Sequence, residues 1–288
     1  MPYREELDAA VAAARAGGAI VKEYYDRANL GRYEKADGSP VTDADLAADH
    51  VIREVLASRF PDDPILTEEG HDDQRRHGNA RCWIVDPVDG TEQFIQRTGE
   101  FDVLVALVED GRPVAVAGYQ PTTQTTVTAT RGGGAAVAIG DESPQPVRLE
   151  PATEPLRIAT SKWFGAPGNA AILREVAKQL GVPPGPSMMT GFSPRMFLAP
   201  REFDAMIGIR DSDDQTMASE WDFAVADLVI AEAGGIVTDL DGQPFRYNKP
   251  VPLNVGGLVA ATDARTHATV LEALRPHWQH LKRKLVTH

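Results

Sequence analysis

Cys82-Trp83-Ile84-Val85-Asp86-Pro87-Val88-Asp89-Gly90-Thr91 decides how this chain of 288 residues is read. The apolar run predicts a strand over Cys82–Asp86 that ends in an acidic turn, because Pro87 and the Asp89-Gly90 pair suit turn geometry. Asp86 and Asp89 are three residues apart, so both carboxylates can enter one cleft, with the Val88 carbonyl between them as a neutral oxygen. Thr91-Glu92-Gln93-Phe94-Ile95 can then begin a helix. The free backbone amides at its start would bind phosphate oxygens, and Thr91 adds a hydroxyl. Taken alone, an Asp-Pro-x-Asp-Gly run is more often an ordinary turn than a metal site.

Working towards the N-terminus, Ile65–Thr67 predicts a short strand leading into Glu68-Glu69. Residues 4–27 predict a helix, with Leu7, Val11, Ala14, Gly18, Val21 and Tyr25 forming one apolar stripe; the small Gly18 on that stripe predicts close helix packing. A loop from Lys35 to Pro40 follows, broken by Gly38 and Pro40. A second helix is predicted over 43–59, with Thr42 as N-cap and Asp45 completing a Thr-x-x-Asp capping box.

Towards the C-terminus, Asp102–Glu109 and Val114–Tyr119 predict a hairpin turning at Asp110-Gly111. Thr125–Thr130 and Ala135–Ile139 predict another. The Pro-, Glu- and Ser-rich stretch 141–155 reads as a connection between an N-terminal α+β lobe, 1–150, and a C-terminal α/β lobe, 151–288. In the second lobe strands (Arg157–Thr160, near Met188, Ala205–Ile209, Ile236–Asp239) alternate with helices (168–180, 194–199, 221–233), a layered pattern.

The formal net charge of −13 disfavours binding to nucleic acid or to an anionic membrane. It also requires something positive to receive an anionic substrate, and a bound metal would serve. Cys82 is the only cysteine, so no intrachain disulfide forms; with no signal-peptide layout at the start and no apolar run of about eighteen residues, a cytoplasmic setting is expected. There is no G-x-G-x-x-G or Walker A pattern. His50, His71 and His77 lack metal-ligand spacing and read as surface residues. Trp83 and Trp221 read as core packing, and Asp239-Leu240-Asp241-Gly242 as a turn.

Each acidic cluster has a plain structural reading: Glu68-Glu69 as a solvated turn, Asp45 as a cap, Asp222 as a first-turn carboxylate favoured by the helix dipole. Together they suit Mg²⁺, a hard cation that takes oxygen ligands at about 2.0–2.1 Å while keeping water and substrate phosphate. Two such ions can stabilise both the attacking and the leaving oxygen of a phosphoryl transfer.

These segments resemble the inositol-monophosphatase-like superfamily. D-P-V-D-G-T at 86–91 resembles its first signature and W-D-F-A-V-A-D-L-V-I-A-E-A-G-G at 221–235 its second; the pair at 68–69 and S-P-V-T-D-A-D at 39–45 also match, so the likeness covers nearly the whole chain. It implies a mixed α/β fold, the layered α/β/α/β/α sandwich. It implies Glu68, Asp86, the Val88 carbonyl, Asp89 and Asp222 as ligands of two or three Mg²⁺ ions. It further implies Asp45 and Thr91 as the pair that orients and deprotonates the attacking water, Glu69 as support for the metal shell, the Gly90 and Thr91 amides as phosphate donors, and sensitivity to lithium. F-I-Q-R-T-G-E-F at 94–101, S-E-W-D at 219–222 and F-R-Y-N-K-P-V-P-L-N at 245–254 are similar to the 3'(2'),5'-bisphosphate nucleotidase branch. Gln215 stands where inositol monophosphatases usually carry Glu. Where that branch usually has a G-S-S-L-K-like segment, this chain reads Gly191-Phe192-Ser193-Pro194-Arg195, so Ser193 and Arg195 become the candidate substrate contacts, Arg195 by bidentate phosphate binding.

The expectation is therefore a Mg²⁺-dependent phosphomonoester hydrolase acting on a small phosphorylated molecule, adenosine 3',5'-bisphosphate first, possible as a homodimer. Inositol 1-phosphate, histidinol phosphate or fructose 1,6-bisphosphate remain alternative substrates. A catalytically weak nucleotide- or phosphate-binding regulator is the rival of another class.

Overall fold

The computed structural model of the chain describes residues 2–27, 31–35, 40–72, 74–161, 167–182, 187–188, 203–209 and 216–286. In chain order the described elements are α1 (Arg4–Asp26), β1 (Arg32–Glu34), β2 (Pro40–Thr42), α2 (Asp43–Arg59), β3 (Ile65–Thr67), β4 (Arg81–Asp89), α3 (Thr91–Ile95), β5 (Asp102–Glu109), β6 (Arg112–Gln120), β7 (Thr125–Thr130), β8 (Gly134–Ile139), β9 (Gln145–Val147), β10 (Ile158–Ser161), α4 (Pro167–Gln179), β11 (Ser187–Met188), β12 (Ala205–Ile209), β13 (Thr216–Ser219), α5 (Glu220–Glu232), β14 (Ile236–Asp239), β15 (Leu253–Val255), β16 (Gly257–Ala261) and α6 (Ala264–Val286).

β3 to β9 form a seven-stranded sheet in chain order, parallel between β3 and β4 and antiparallel from there on. A second sheet of five strands runs β11-β10-β12-β16-β14. The β5–β6 hairpin closes where Glu109 pairs with Arg112. Asp110 (φ 53°) and Gly111 (φ 76°) both take left-handed backbone there, as a two-residue hairpin turn that follows the sheet's own twist requires.

Alternation along the strands sorts the side chains into three cores. Trp83, Val85, Val103, Val105, Leu107, Ala115 and Ala117 face α1 and α2. Ile84, Leu104, Ala106 and Val116 point the other way, onto α5. From the far side Met206, Leu258 and Ala260 of the second sheet also meet α5, while Ile207, Ile209, Val259 and Ala261 face α4 and α6. The layers are thus α, β, α, β, α. α5 lies between two sheets and is apolar nearly all round, with Phe223, Val225, Leu228, Val229 and Ile230 buried, each contributing about 1.5–3 kcal/mol by leaving water. Cys82 is fully buried among them, and burial pushes its thiol up to about 12.

Some sequence expectations are corrected here. The close helix–helix approach is made at Gly17, where a Cβ would lie 2.6 Å from Ile52 Cδ1 of α2; Gly18 instead lies against the Tyr119 ring of β6, which leaves no room for a Cβ. Asp86 to Asp89 is not a turn after the strand but the end of β4 itself, with a register shift between Asp86 and Asp89. The 141–155 stretch includes β9, an edge strand paired with β8. The helix expected at 194–199, Ser193, Arg195 and Gln215 lie outside the described residues. No helix among the described residues is long and apolar enough to cross a membrane.

Candidate active site

The bulge at the end of β4 gives two residues there no partner on β5. A bulge re-aims side chains, and this one leaves Asp86 and Asp89 on the same side. The parallel register of β3 on β4 sets Thr67 against Val85, so Glu68, whose amide donates to the Val85 carbonyl at 3.2 Å, emerges beside Asp86. Asp222 arrives from the first turn of α5, where one carboxylate oxygen caps the helix by accepting from the Ser219 amide at 2.7 Å. Asp86, Asp89 and Asp222 each place a carboxylate oxygen within 4.8 Å of the others.

The electrostatics follow from that crowding. Burial first, then Glu68, Asp89 and Asp222, and a hydrogen bond shared with Glu68, hold the Asp86 carboxyl well above the usual range. Burial and the Glu68 charge push Asp222 up to about 7, against the Ser219 amide. Burial likewise pushes Glu69 up to about 7, with the Lys35 hydrogen bond opposing. Several carboxylates in one cleft repel unless a cation sits among them. The donors are all oxygen, as a hard divalent ion wants. The residues present therefore fit a metal ion, with Asp86, Asp89 and Asp222 as its nearest holders.

Asp45 and Thr91 meet at the edge of this cluster. Thr42 caps α2, its hydroxyl accepting from the Ala44 amide at 3.2 Å, and its own amide donates to Asp45 Oδ2 at 2.9 Å. That leaves Asp45 Oδ1 to accept from Thr91 Oγ1 at 3.1 Å, and Thr91 Oγ1 also lies 3.1 Å from the Val88 carbonyl. Burial raises the Asp45 pKa, with Thr42 and Thr91 hydrogen bonds working against it. Gly90, at φ 95°, opens α3 in left-handed backbone.

The sequence carries no signal that makes Lys35 a site residue. Its ammonium lies 2.6 Å from Glu68 Oε1 and 2.6 Å from Glu69 Oε1. Burial works against its charge, but the two glutamates outweigh burial and raise its pKa. No local pattern announces it, because its partners lie 33 and 34 residues away. So the structure brings Glu68, Glu69, Asp45, Asp86, Val88, Asp89, Gly90, Thr91 and Asp222 to one end of the seven-stranded sheet and the start of α5.

Oxygen-only donors gathered at strand and helix ends of a layered α/β sandwich suit a hard divalent ion, and comparison with known proteins gives the class, a phosphoric monoester hydrolase. The inositol monophosphatase family model matches residues 3–279. The 3'(2'),5'-bisphosphate nucleotidase CysQ of Aggregatibacter actinomycetemcomitans is 33% identical over 243 residues, 82% of this chain and 85% of that protein. The protein of the same name from Escherichia coli K12 is 33% identical over 82% of this chain and 90% of its own length. The crystal structure of CysQ from Bacteroides thetaiotaomicron, described as a bacterial member of the inositol monophosphatase family, superposes with a TM-score of 0.74 at 28% identity, covering 91% of this chain and 99% of that one. The chain belongs to the inositol monophosphatase family.

Proposed function

We propose that the protein hydrolyses the 3'-phosphate of adenosine 3',5'-bisphosphate, giving AMP and phosphate, with Mg²⁺ as its cofactor in two or three copies. The single observation that carries the phosphatase chemistry is the meeting of the Asp86, Asp89 and Asp222 carboxylates within 4.8 Å beside the Thr91–Asp45 hydrogen bond. The choice of substrate rests on the two CysQ relatives, each matched over more than four-fifths of this chain, and on the 94–101, 219–222 and 245–254 segments.

Glu68, Asp86, the Val88 carbonyl, Asp89 and Asp222 would hold the ions. When bound, these supply charge neutralisation for the phosphate oxygens and make water more acidic. The rest falls to the chain's own groups. Thr91 Oγ1 can accept a hydrogen bond from the attacking water while donating its own proton to Asp45 Oδ1, 3.1 Å away. The raised Asp45 pKa suits a carboxylate that takes up that proton. Lys35 pairs with both Glu68 and Glu69, which orients Glu68. The Gly90 and Thr91 amides would hold the phosphate, and Ser193 and Arg195, which lie outside the described residues, would be substrate contacts, Arg195 as a phosphate partner. No nucleophilic Ser or Cys is needed: Cys82, the only cysteine, is buried and its thiol pushed up to about 12.

Phosphate release from adenosine 3',5'-bisphosphate and from inositol 1-phosphate, measured side by side in Mg²⁺, tests the reading. A preference of about tenfold or more for the nucleotide, ~1.4 kcal/mol of transition-state binding, is expected. Equal rates would reject the nucleotidase assignment, and the absence of Mg²⁺-dependent turnover on any phosphomonoester would favour the binding-regulator alternative.

A further inference from the structure

The Phe245–Asn254 segment has no part in the chemistry above, yet it touches both elements that bring acidic side chains to the site from opposite sides. At one end of its grip is Arg76, 1% exposed, in the loop that follows Glu68-Glu69. Arg76 Nη1 donates to Asn248 Oδ1 at 3.1 Å and to the Lys249 carbonyl at 2.6 Å, and Nη2 reaches the Pro250 carbonyl at 3.3 Å. Asp72 takes the remaining donors, Nε at 3.0 Å and Nη2 at 2.7 Å. Asn248 returns two bonds, from Nδ2 to the carbonyls of Arg76 and Asn79.

At the other end is Glu220, the first residue of α5, with no exposed surface. Its carboxylate accepts the amides of Asn248 at 2.6 Å and Lys249 at 3.1 Å, and the Lys249 ammonium lies 3.5 Å away. The Glu220 amide donates to the Pro252 carbonyl at 3.0 Å. Lys249 Nζ also donates to Asn254 Oδ1 at 2.8 Å, and Asn254 Nδ2 donates to the Ser219 carbonyl at 3.3 Å. Ser219 is the residue whose amide holds Asp222.

Buried charged groups satisfied this fully are costly to assemble and rigid once made. Asn248 carries the strain of left-handed backbone, φ 58°, to turn its amide towards Glu220 and its side chain towards Arg76. We propose that Asn248–Pro250 is a spacer between the Glu68 loop and the start of α5, and that Arg76, Asn248 and Glu220 are positioning residues which set how closely Glu68 and Asp222 approach each other. The inference rests on the metal-site reading above.

The test is equilibrium binding of Mn²⁺ to the full-length protein without substrate, followed by the paramagnetic resonance of the free ion, with a melting curve for each variant. Asn248→Gly keeps the left-handed backbone, which glycine adopts freely, and removes only the side-chain bonds. It should weaken Mn²⁺ binding about tenfold, as loss of outer supports typically does. Arg76→Met should do at least as much. Arg81→Met is the control: Arg81 bonds Asp63 and Glu6 at the other end of β4, so it should lower the melting temperature yet change Mn²⁺ affinity less than about twofold. Asn248→Gly with wild-type Mn²⁺ affinity, or Arg81→Met with an equal loss, would overturn the proposal. Wild-type protein that binds no Mn²⁺ would overturn the metal site itself along with it.

Discussion

Replacing Asp89 with asparagine should make the metal-free protein more stable while removing its use for metal. Asp86, Asp89 and Asp222 form three carboxylate pairs, each within 4.8 Å. At an effective dielectric constant of about 20, one ionised pair at that distance costs about 3.5 kcal/mol. Asp89 takes part in two of the three pairs. Protonation relieves much of this, since Asp222 is pushed up to about 7 and Asp86 is held well above the usual range. The realised gain at pH 8, where Asp222 is mostly ionised, should then be ~2 kcal/mol, or a melting temperature about 4 °C higher for Asp89→Asn than for wild type in EDTA. The sign of the pH dependence is fixed by the same shifts. In unfolded chain these carboxyls titrate near pH 4; in the metal-free fold Asp222 and Glu69 titrate near 7. Their contribution to stability is full below about pH 4 and is lost as pH rises through 7. Asp89 is itself among the charges that raise Asp86, so the advantage of Asp89→Asn should shrink as pH falls and Asp86 takes up its proton. Mg²⁺ should raise the wild-type melting temperature and largely fail to raise that of the variant. A variant that melts below wild type in EDTA, or that gains as much from Mg²⁺ as wild type does, would refute the crowding argument.

Three further outcomes follow. Thr91→Val keeps the shape but breaks the hydrogen bond to Asp45; kcat should fall by about 10²–10³-fold with Mn²⁺ binding unchanged, as read by steady-state kinetics and resonance. Gly17→Ala would set a methyl 2.6 Å from Ile52 Cδ1 at the α1–α2 contact and should cost about 1–3 kcal/mol in urea unfolding, whereas activity per folded molecule should hold. His267 is buried, bonds Thr238 Oγ1 through Nε2 at 2.9 Å, and has its pKa lowered by burial; it contributes stability above about pH 6.5 that is lost as pH falls through its folded pKa, so the urea midpoint of His267→Gln should change less than that of wild type between pH 7 and 5.

The parts of the fold that were legible in the sequence are those whose signal is local. Thr42 and Asp45 mark the start of α2 by the bonds they make there, and Asp110-Gly111 announces the hairpin by its backbone demands. β12 and β14 match their expected limits. β16 and α6 were not anticipated. β16 is buried on both faces, Gly257–Ala261, so it lacks alternation, and α6 contains Pro276. The β13–β15 ribbon consists of short strands whose pairing joins residues far apart in the chain. The acidic groups could be read because they cluster at element ends, two or three to a motif. Lys35 and the Arg76–Glu220 grip could not, because each is a lone charge whose partner is set by tertiary contact. The acids of α5 also differ in what they meet: Asp222 joins Asp86 and Asp89, while Asp227 accepts from Tyr247 Oη and pairs with Arg112.

The lone, sealed thiol of Cys82 has a practical consequence. It sits on β4, a few residues from the end that bears Asp86, and no oxidant or alkylating reagent can meet it while the strands stay together. Its labelling by a disulfide reagent is therefore a clock for the opening of the molecule's interior, countable as one event per molecule and free of background from any second sulfhydryl.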